Sequence, residues 1–218
     1  MDTKICLFGA TGRMGHEVVN ATLRLAQAGE KVEVVVGVVE PGHSAIGKTI
    51  SGIKLPIVTD ASEGIAQCNV IVDFSTPEGA HQALALATEH HIPVLICTSG
   101  LGPEVDSSIA QAKTETLVIR ASNTSVGVNV MLRLVREAAL ALGEGFDIEI
   151  SEIHHNMKRD APSGTALALA QEITKSRRNI SLEDNLITGR FGITGKRNPN
   201  ELGLFSLRGG DVAGEHTV

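Results

Sequence analysis

The sequence predicts an α/β protein with two domains: a doubly wound parallel sheet over residues 1–125 and a smaller mixed α/β domain over residues 126–218. Three observations predict it. Short apolar strands alternate with helical patterns through the first half, a glycine-rich loop follows the first strand, and this rhythm changes near residue 125. Alternating strands and helices imply parallel strands joined by right-handed crossovers.

Composition excludes several classes of function. The chain has 218 residues, of which 42% are hydrophobic and only 2% aromatic, and its formal net charge is −6. A basic or base-stacking surface for nucleic acid is therefore not expected. The apolar runs are too short to cross a membrane. Three scattered cysteines, Cys6, Cys68 and Cys97, indicate reduced thiols in the core, which predicts a cytoplasmic protein.

The N-terminal strand leads directly into a glycine-rich loop. An apolar run over residues 4–8 predicts the strand, and residues 9–15 read G-A-T-G-R-M-G. A helical pattern follows over residues 16–26, and a valine-rich strand follows over residues 31–39. Glycines between a strand and a helix allow a tight turn and let a pyrophosphate approach the backbone. The spacing G-x-x-G-x-x-G departs from the usual G-x-G-x-x-G, so the motif gains its meaning from its position after the first strand.

Two charged residues near this loop bear on the nucleotide that it would hold. Glu40 closes the second strand, where a carboxylate can bind the ribose hydroxyls of an adenosine and would repel a ribose phosphate. Arg13 could offset that repulsion by pairing with the phosphate of NADP. The alternative for Glu40 is a solvated strand end without a ligand. Its place in the strand–loop–helix–strand unit favours a dinucleotide site.

The same rhythm continues after a polar loop over residues 41–56. Three strands and two helices are predicted: strands over residues 69–74, 92–97 and 117–119, and helices from Pro77 to about His90 and from Pro103 to about Lys113. Ligands in such sheets bind beyond the carboxyl ends of the strands. The strand ends at residues 73–75, 97–99 and 121–124 are therefore expected to line the same crevice as the glycine loop.

The second half concentrates titratable groups in one segment. An amphipathic helix over residues 129–142 leads into an alternating strand over residues 146–153. Residues 152–165 then read E-I-H-H-N-M-K-R-D-A-P-S-G-T, before a helix of strong formers over residues 166–173. A helix start offers unpaired N–H groups and a positive dipole end, which suit a carboxylate or phosphate. Imidazoles and a lysine beside such a cradle predict a site that moves protons on an acidic small molecule.

Each residue of this segment also has a simpler interpretation. Ser163 could serve only as the helix N-cap, and Lys158 and Arg159 could be a solvated pair. His154 and His155 are adjacent on a strand and point to opposite faces, so they cannot both chelate one metal without a bend. We therefore expect no metal site. The concentration of these groups within one loop favours a functional site over the separate interpretations.

The remainder of the second domain is less informative. A polar stretch over residues 176–200 precedes a strand over residues 202–208, and residues 209–218 begin what reads as another strand. The sequence stops there without a turn or cap. The C-terminal part of this domain is therefore expected to be missing from the chain.

Four motifs together resemble one known family. They are G-A-T-G-R-M-G at residues 9–15, S-V-G-V-N-V-M after A-S-N-T at residues 121–131, E-I-H-H-N-M-K-R-D-A-P-S-G-T-A at residues 152–166, and G-D-V-A-G-E-H-T-V at residues 210–218. The chain resembles the 4-hydroxy-tetrahydrodipicolinate reductases, also called dihydrodipicolinate reductases, over essentially its whole length. The third motif is the most specific of the four.

The resemblance implies a fold, a reaction and an assembly. The family has an N-terminal Rossmann domain and a smaller mixed α/β domain that binds substrate and builds a homotetramer. Its members transfer a hydride from NADH or NADPH to a cyclic dicarboxylate imine, giving tetrahydrodipicolinate in lysine and diaminopimelate biosynthesis. The implied partners are therefore a nicotinamide dinucleotide, a small diacid and further copies of the same chain.

The resemblance also implies roles for individual residues. His154 and Lys158 would be the catalytic pair, and the substrate carboxylates would be bound by His155, Ser163, Gly164 and Thr165. The dinucleotide would be contacted by Gly9, Ala10, Thr11, Gly12, Arg13, Met14, Glu40, Phe74, Cys97, Thr98, Ser99, Ala121, Ser122, Asn123 and Thr124.

Two departures from the family pattern qualify this expectation. Pro41 follows Glu40, where some members place an arginine that could hold the ribose phosphate of NADPH, so NADH is predicted to be at least as good a cofactor. The run Cys97–Thr98–Ser99 replaces a more glycine-rich version, and its consequence does not follow from sequence.

Two alternatives to this function remain open at the level of sequence. One is a catalytically inactive dinucleotide-binding sensor of the same fold. The other is a different two-domain dehydrogenase, acting on aspartate or a sugar. Such enzymes also pair a glycine loop with a later histidine or lysine, but they do not predict a Pro-Ser-Gly-Thr turn directly after a His-His-x-x-Lys run.

Overall fold

The computed structural model describes residues 2–98, 101–121 and 123–218. The chain divides into two compact units, Met1–Ser122 and Asn123–Val218. The first contains a parallel sheet with helices and the second a smaller mixed sheet with helices, so the predicted fold class is confirmed. Among the described residues, no helix combines the length and the apolar character needed to cross a bilayer.

The first unit is built on five parallel strands in the order β2-β1-β3-β4-β5. The strands are β1 (Thr3–Phe8), β2 (Val32–Val38), β3 (Val70–Asp73), β4 (Val94–Ile96) and β5 (Val118–Arg120). The helices are α1 (Arg13–Gln27), α2 (Ser62–Ile65), α3 (Pro77–His90) and α4 (Pro103–Ala112). The strand order reverses between β1 and β3, and ligand crevices form at such a switch point.

The segment after β2 is more ordered than the polar loop predicted for residues 41–56. Ile53 and Ile57 are buried, and two isolated parallel bridges join Val34 to Ile53 and Val38 to Val58. These bridges lie where a further strand would extend the sheet beyond β2. The prediction was incomplete because the apolar residues of this segment are too widely spaced to show a strand period.

Local sequence explains where the helices of the first unit begin. Helix α3 begins at Pro77, and the hydroxyl of Thr76 accepts a hydrogen bond from the N–H of Gly79 over 3.2 Å. Helix α1 begins at Arg13, three residues before the predicted start, because its first turn places only a glycine, Gly15, against the core and carries no apolar period. Strand β2 is buried from Val34 to Val38, as expected inside a parallel sheet covered by helices, whereas β5 at the far edge is exposed at Ile119 and Arg120.

The second unit is a four-stranded mixed sheet in the order β7-β8-β6-β9. Its strands are β6 (Ile148–His154), β7 (Leu186–Ile187), β8 (Leu202–Arg208) and β9 (Glu215–Thr217). Its helices are α5 (Val126–Leu142), α6 (Gly164–Ser176) and α7 (Leu182–Asn185), with a short 3₁₀ turn at Gly143–Gly145. Strand β6 runs parallel to β8 and antiparallel to β9. One face of the sheet packs against α6 through Ile150, Leu169 and Leu204, all fully buried.

Two serines fix the helix starts of the second unit. The hydroxyl of Ser125 accepts the N–H of Val128 at the start of α5, and that of Ser163 accepts the N–H of Ala166 at the start of α6 over 3.1 Å. The N-cap interpretation of Ser163 is thereby confirmed. Strand β6 ends at the same edge of the sheet as β8, so His154 lies beside Arg208 in the register.

Candidate functional sites in the two units

The glycine loop of the first unit is shaped by backbone contacts that exclude side chains. Gly9 has φ +76°, and a Cβ on it would collide with the carbonyl of Phe74. A Cβ on Gly15 would collide in turn with the carbonyl of Gly9. The loop therefore sits against both the β3 end and helix α1, an approach that only glycine permits. The N-cap Gly12 has no capping side chain, so the first N–H groups of α1 are available to a phosphate.

A cleft of about 330 Å³ opens beside this loop at the switch point between β1 and β3. Gly9, Thr11 and Gly12 line one wall, Glu40 lies at the end of β2, and Phe74 lies at the end of β3. Peptide N–H groups, a helix start and a carboxylate thus border one concave space. These residues suit a dinucleotide, with the phosphates at the loop and a ribose at the carboxylate.

His43 is part of this cleft and was not predicted from sequence. Its Nδ1 accepts the N–H of Ala45 over 3.1 Å, and its Nε2 lies 3.2 Å from the hydroxyl of Thr11. With Nδ1 acting as acceptor, Nε2 carries the proton and donates to Thr11. The imidazole thereby ties the segment after Glu40 to the glycine loop. A histidine three residues after the acidic strand end was the only signal in the sequence.

The other residues predicted to contact a dinucleotide lie in varied surroundings. Ala10 is buried under the loop, and Arg13 and Met14 are exposed on the first turn of α1. Cys97 and Thr98 are buried at the end of β4, and Ala121 is half-buried after β5. Ser99 and Ser122 lie outside the described residues. Asn123 and Thr124 belong to the second unit.

The ends of β3 and β4 are held together by polar contacts around Asp73. The N–H of Ser75 donates to Asp73 over 3.1 Å and to the hydroxyl of Thr98 over 3.0 Å. Burial raises the pKa of the Asp73 carboxyl, against the hydrogen bonds from Ser75 and Thr98. Burial and the nearby Asp73 raise the pKa of the Cys97 thiol to about 11, so this cysteine is protonated at neutral pH. These groups shape the strand ends rather than supply a nucleophile.

In the second unit, the side chains of the His-His segment converge on one buried carboxylate. Glu152 lies in β6 two residues before His154, on the same face of the strand. Its Oε2 accepts a hydrogen bond from Nδ1 of His154 over 2.6 Å, and its Oε1 accepts the N–H of Ser163 over 3.1 Å. Arg208 of β8 donates to both oxygens, over 2.8 and 2.9 Å. Together with His216, these residues form what we call the Glu152 cluster: Glu152, His154, Ser163, Arg208 and His216.

Electrostatics keep Glu152 ionised. Burial by itself would raise the pKa of this carboxyl, but hydrogen bonds from Arg208, His154 and Ser163 oppose it and lower the pKa to about 2. An ionised carboxylate can only accept hydrogen bonds. Nδ1–H of His154 therefore donates to the carboxylate, and Nε2 of His154 is not engaged by Glu152.

The antiparallel pairing of β9 with β6 brings a second imidazole into the cluster. His216 pairs with Glu152 in the register, and its Nε2 lies 2.8 Å from the hydroxyl of Ser163. The rings of His216 and His154 meet edge to face, with centroids 5.2 Å apart. Burial lowers the pKa of His216, and the charges of His154 and Lys158 lower it further. The two imidazoles therefore differ: His154 has a carboxylate partner and His216 has a hydroxyl partner.

Lys158 lies in the turn after β6, with its side chain mostly buried. Its ammonium donates to both carboxylate oxygens of Asp160, over 2.8 and 2.9 Å. The backbone N–H of Lys158 donates to the carbonyl of His155. The Lys158 hydrogen bond lowers the pKa of Asp160. Arg208 of the cluster donates to the carbonyl of Asp160 over 2.7 Å, so the Lys158–Asp160 pair borders the cluster. Nδ1 of His155 is buried and has no hydrogen-bond partner among the described residues.

The start of α6 borders this region. Gly164 and Thr165 are the first two residues of the helix after the cap Ser163, so their N–H groups precede the intrahelical hydrogen bonds. The amide of Asn123 reaches the hydroxyl of Thr165 over 3.4 Å. The sequence segment thus delivers imidazoles, an ammonium group and a helix start to one place. Among the described residues, no cluster of histidine, cysteine or carboxylates is suited to a metal.

Three members of the Glu152 cluster were not predicted as site residues: Glu152, Arg208 and His216. Glu152 was visible in the motif, and the period of a strand places residues 152 and 154 on one face. Arg208 and His216 reach the cluster only through the pairing of β6 with β8 and β9. The segment G-E-H-T near the end of the sequence drew attention to His216, but the sequence did not indicate which residues His216 contacts.

Family models match both halves of the chain. A model described as dihydrodipicolinate reductase, N-terminus, matches residues 3–124. A model described as dihydrodipicolinate reductase, C-terminus, matches residues 127–218. The two matches therefore include the glycine loop, the cleft beside it and the Glu152 cluster.

Individual relatives agree with the family models. The chain is 39% identical over 222 residues to the 4-hydroxy-tetrahydrodipicolinate reductase of Anaeromyxobacter dehalogenans strain 2CP-1, covering 99% of the chain and 80% of that protein. It is 38% identical over 218 residues to the protein of that name from Caldanaerobacter subterraneus subsp. tengcongensis, covering 100% of the chain and 80% of the relative.

Solved structures show the same fold. A dipicolinate-bound dihydrodipicolinate reductase from Paenisporosarcina sp. TG-14 superposes with a TM-score of 0.73 at 24% identity, covering 99% of the chain and 82% of that structure. An aspartate semialdehyde dehydrogenase II from Vibrio cholerae superposes with a TM-score of 0.54 at 14% identity, covering 99% of the chain and 71% of that structure. At these identities the structures bear on the fold alone.

Proposed function

This chain belongs to the dihydrodipicolinate reductase family, and from that premise we propose that its two units carry out the reduction of 4-hydroxy-tetrahydrodipicolinate to tetrahydrodipicolinate. The net change adds a hydride and a proton to the substrate and releases its hydroxyl as water. The observation that carries the proposal is that family models match both units, including the segment that forms the Glu152 cluster. The product belongs to lysine and diaminopimelate biosynthesis.

The first unit would hold the nicotinamide cofactor. A bound dihydronicotinamide supplies the hydride of the reaction. The glycine loop fits such a group. At Gly9 and Gly15 the neighbouring backbone leaves no room for a side chain, and the uncapped start of α1 can bind a pyrophosphate. Glu40 would accept hydrogen bonds from ribose hydroxyls at the end of β2. Phe74 would line the cleft beside the glycine loop.

The second unit would supply the proton and bind the diacid. Hydride addition to a conjugated imine leaves negative charge that a proton must meet. Lys158 and His154 are the groups that we assign to this role, with Lys158 giving the proton or a hydrogen bond and His154 assisting. The N–H groups of Gly164 and Thr165 at the start of α6, together with His155, would bind the substrate carboxylates.

The direct test is NADH oxidation on adding the imine that an aldolase generates. We expect His154→Ala and Lys158→Ala to lower kcat by orders of magnitude while leaving the affinity for NADH, measured by fluorescence titration, nearly unchanged. Lys175→Ala is the matched control, because Lys175 pairs with Glu172 on the surface of α6. Equal loss of NADH affinity in both site variants would contradict these roles. Dinucleotide binding without turnover by the wild-type chain would favour an inactive sensor.

The cofactor preference is a finer proposal. We propose that NADH serves at least as well as NADPH. Glu40 would repel a ribose phosphate, Pro41 offers no cation, and His43 uses Nδ1 as an acceptor from Ala45 and so brings no positive charge in this geometry. A catalytic efficiency several-fold higher with NADPH would refute the proposal.

The assembly and location are also proposals. We propose a homotetramer in the cytoplasm, because the family implies that assembly and the three buried cysteines are free thiols. Exposed apolar side chains of α5, including Val130, Leu134 and Leu142, are consistent with association. Light scattering at several concentrations would measure the mass of the particle, and a monomer throughout would contradict it.

A further inference from the structure

We propose that Glu152 is a positioning residue for the reaction: its carboxylate fixes the proton of His154 on Nδ1 and thereby presents Nε2 to the substrate. This inference rests on the proposed function for the role of His154. It goes further by assigning the state of the imidazole to a residue that would not touch substrate.

Each hydrogen-bond partner of Glu152 among the described residues is a donor. Its two oxygens receive the N–H of Ser163, two N–H groups of Arg208 and the Nδ1 side of His154, at distances of 2.6 to 3.1 Å. The side chain is fully buried. Of these donors, only the imidazole can move its proton to another nitrogen, because a peptide N–H and a guanidinium keep theirs. The carboxylate therefore selects the Nδ1–H form of His154.

The other nitrogen of His154 lies beside a residue that has no side chain. Nε2 lies toward Gly214, whose missing side chain would stand 2.7 Å from it. His216 closes the neighbouring side with an edge-to-face ring contact. Because Nδ1 is occupied by Glu152, Nε2 is the nitrogen that can take or give a proton, and a fixed second partner sharpens that role.

The same carboxylate also holds the start of the helix that would bind the substrate. Glu152 accepts the N–H of Ser163 directly before α6, so a purely structural role is the competing explanation. A structural role predicts lost stability alone. A positioning role predicts a changed imidazole tautomer even where the fold is intact.

The substitution Glu152→Gln separates these explanations because it keeps the shape and removes the charge. The amide must turn an NH₂ group toward one of the former donors. Among the described neighbours, the imidazole of His154 and the hydroxyl of Ser206 can become acceptors. His154 is the one that now donates to the carboxylate over 2.6 Å, so we expect its proton to move to Nε2. A carboxylate-to-amide change beside a catalytic histidine lowers kcat by about 10⁴-fold in the serine proteases, through the same wrong tautomer.

The test is ¹⁵N NMR of imidazole-labelled protein with the activity measured in parallel. We expect neutral wild-type His154 to be the Nδ1–H tautomer, Glu152→Gln to be the Nε2–H tautomer, and kcat of the variant to fall by about 100-fold or more. Glu152→Asp, which keeps the charge, should keep the Nδ1–H tautomer and recover part of kcat. Glu149→Gln is the matched control on the same strand, since Glu149 pairs with Arg190 and Arg197 away from the cluster.

Two results would overturn the inference: a wild-type His154 protonated on Nε2 when neutral, which needs no variant, or a folded Glu152→Gln protein with unchanged tautomer and kcat. Failure of the proposed function would look different. In that case His154→Ala would keep full activity, or the wild-type chain would have none, whatever tautomer the spectra report.

Discussion

Gly214 lies directly against the imidazole of His154: a Cβ added to this glycine would stand 2.7 Å from Nε2 and 2.9 Å from Cδ2. On its other nitrogen, His154 is tied to Glu152 over 2.6 Å. The imidazole therefore has little freedom to move away from a new neighbour. The absence of a side chain at residue 214 is what lets the imidazole lie this close to the backbone.

Gly214→Ala should accordingly lower activity more than stability. The new methyl group would push the imidazole out of place, and a misplacement of about 1 Å can cost on the order of 100-fold in rate. Overpacking of this kind costs roughly 1–3 kcal/mol of stability. Steady-state kinetics and thermal melting would measure the two effects. Gly214 also has φ +155°, which strains an alanine whatever the space, so Gly210→Ala is the control: Gly210 has φ +56° and nothing lies within 4 Å of its added Cβ. Equal kinetic losses in both variants would contradict the steric argument.

The Glu152 carboxylate should make the protein lose stability in acid. Burial is outweighed by the hydrogen bonds of Arg208 and its other partners, which lower the pKa to about 2 from the ordinary 4.5. A lowered pKa in the folded state gives a stabilisation that is complete above pH 4.5 and is lost as the pH falls toward 2. Its size is about 3 kcal/mol at most.

Denaturant unfolding of wild-type and Glu152→Gln proteins between roughly pH 6 and pH 2 would measure this contribution. The free energy of unfolding should fall less steeply with acid in the variant, because the amide has no proton to bind. Glu149→Gln provides the comparison for a partly exposed carboxylate on the same strand. Parallel curves for Glu152→Gln and wild type would exclude Glu152 as the source of acid sensitivity.

The sequence predicted the order of elements because each is encoded locally. Runs of valine and isoleucine mark buried strands. Pro77 marks a helix start because it has no N–H to donate, and Ser163 marks one because its hydroxyl accepts the N–H of Ala166. Boundaries were less accurate where the first turn of a helix buries no large apolar side chain, as at Arg13, because no apolar period begins there. The segment around Ile53 was missed because its bridges to β2 are isolated.

The site in the second unit was predictable only in the part that one segment encodes. His154, Lys158 and Ser163 lie within ten residues and were identified together. Arg208 is 56 residues from Glu152 in the chain, and its contact depends on the register of β6 with β8. A single sequence does not fix that register. For the same reason, His43 could not be joined to Thr11 before the fold of the intervening chain was known.

His43→Arg should shift the cofactor preference toward NADPH. His43 lies in the cleft with Glu40 and, in its hydrogen-bonding geometry, brings no positive charge. An arginine would be charged at all relevant pH values and can pair bidentately with a phosphate. A hydrogen bond to a charged group contributes about 1.5–3 kcal/mol, so the affinity for NADPH relative to NADH should rise by about tenfold or more.

Fluorescence titration of the two cofactors would measure that ratio without turnover. His90→Arg is the control, because His90 is exposed at the end of α3. A gain in NADPH affinity that is equal in both variants would reflect the added net charge alone. An unchanged ratio in His43→Arg would mean that residue 43 lies away from the ribose of the bound dinucleotide.

Gly9→Ala should abolish dinucleotide binding. Two effects act at this residue: φ is +76°, which an alanine adopts at a cost of about 1 kcal/mol or more, and the added Cβ would collide with the carbonyl of Phe74. The collision would push the glycine loop away from the β3 end and disturb the cradle beneath the phosphates. Gly42→Ala isolates the first effect, because its φ is +85° and nothing lies within 4 Å of its added Cβ. Titration with NADH should therefore show little or no binding by Gly9→Ala and near wild-type affinity for Gly42→Ala, while both lose some thermal stability. If Gly9→Ala bound NADH as well as Gly42→Ala does, the close approach of Gly9 to Phe74 would have no part in holding the cofactor.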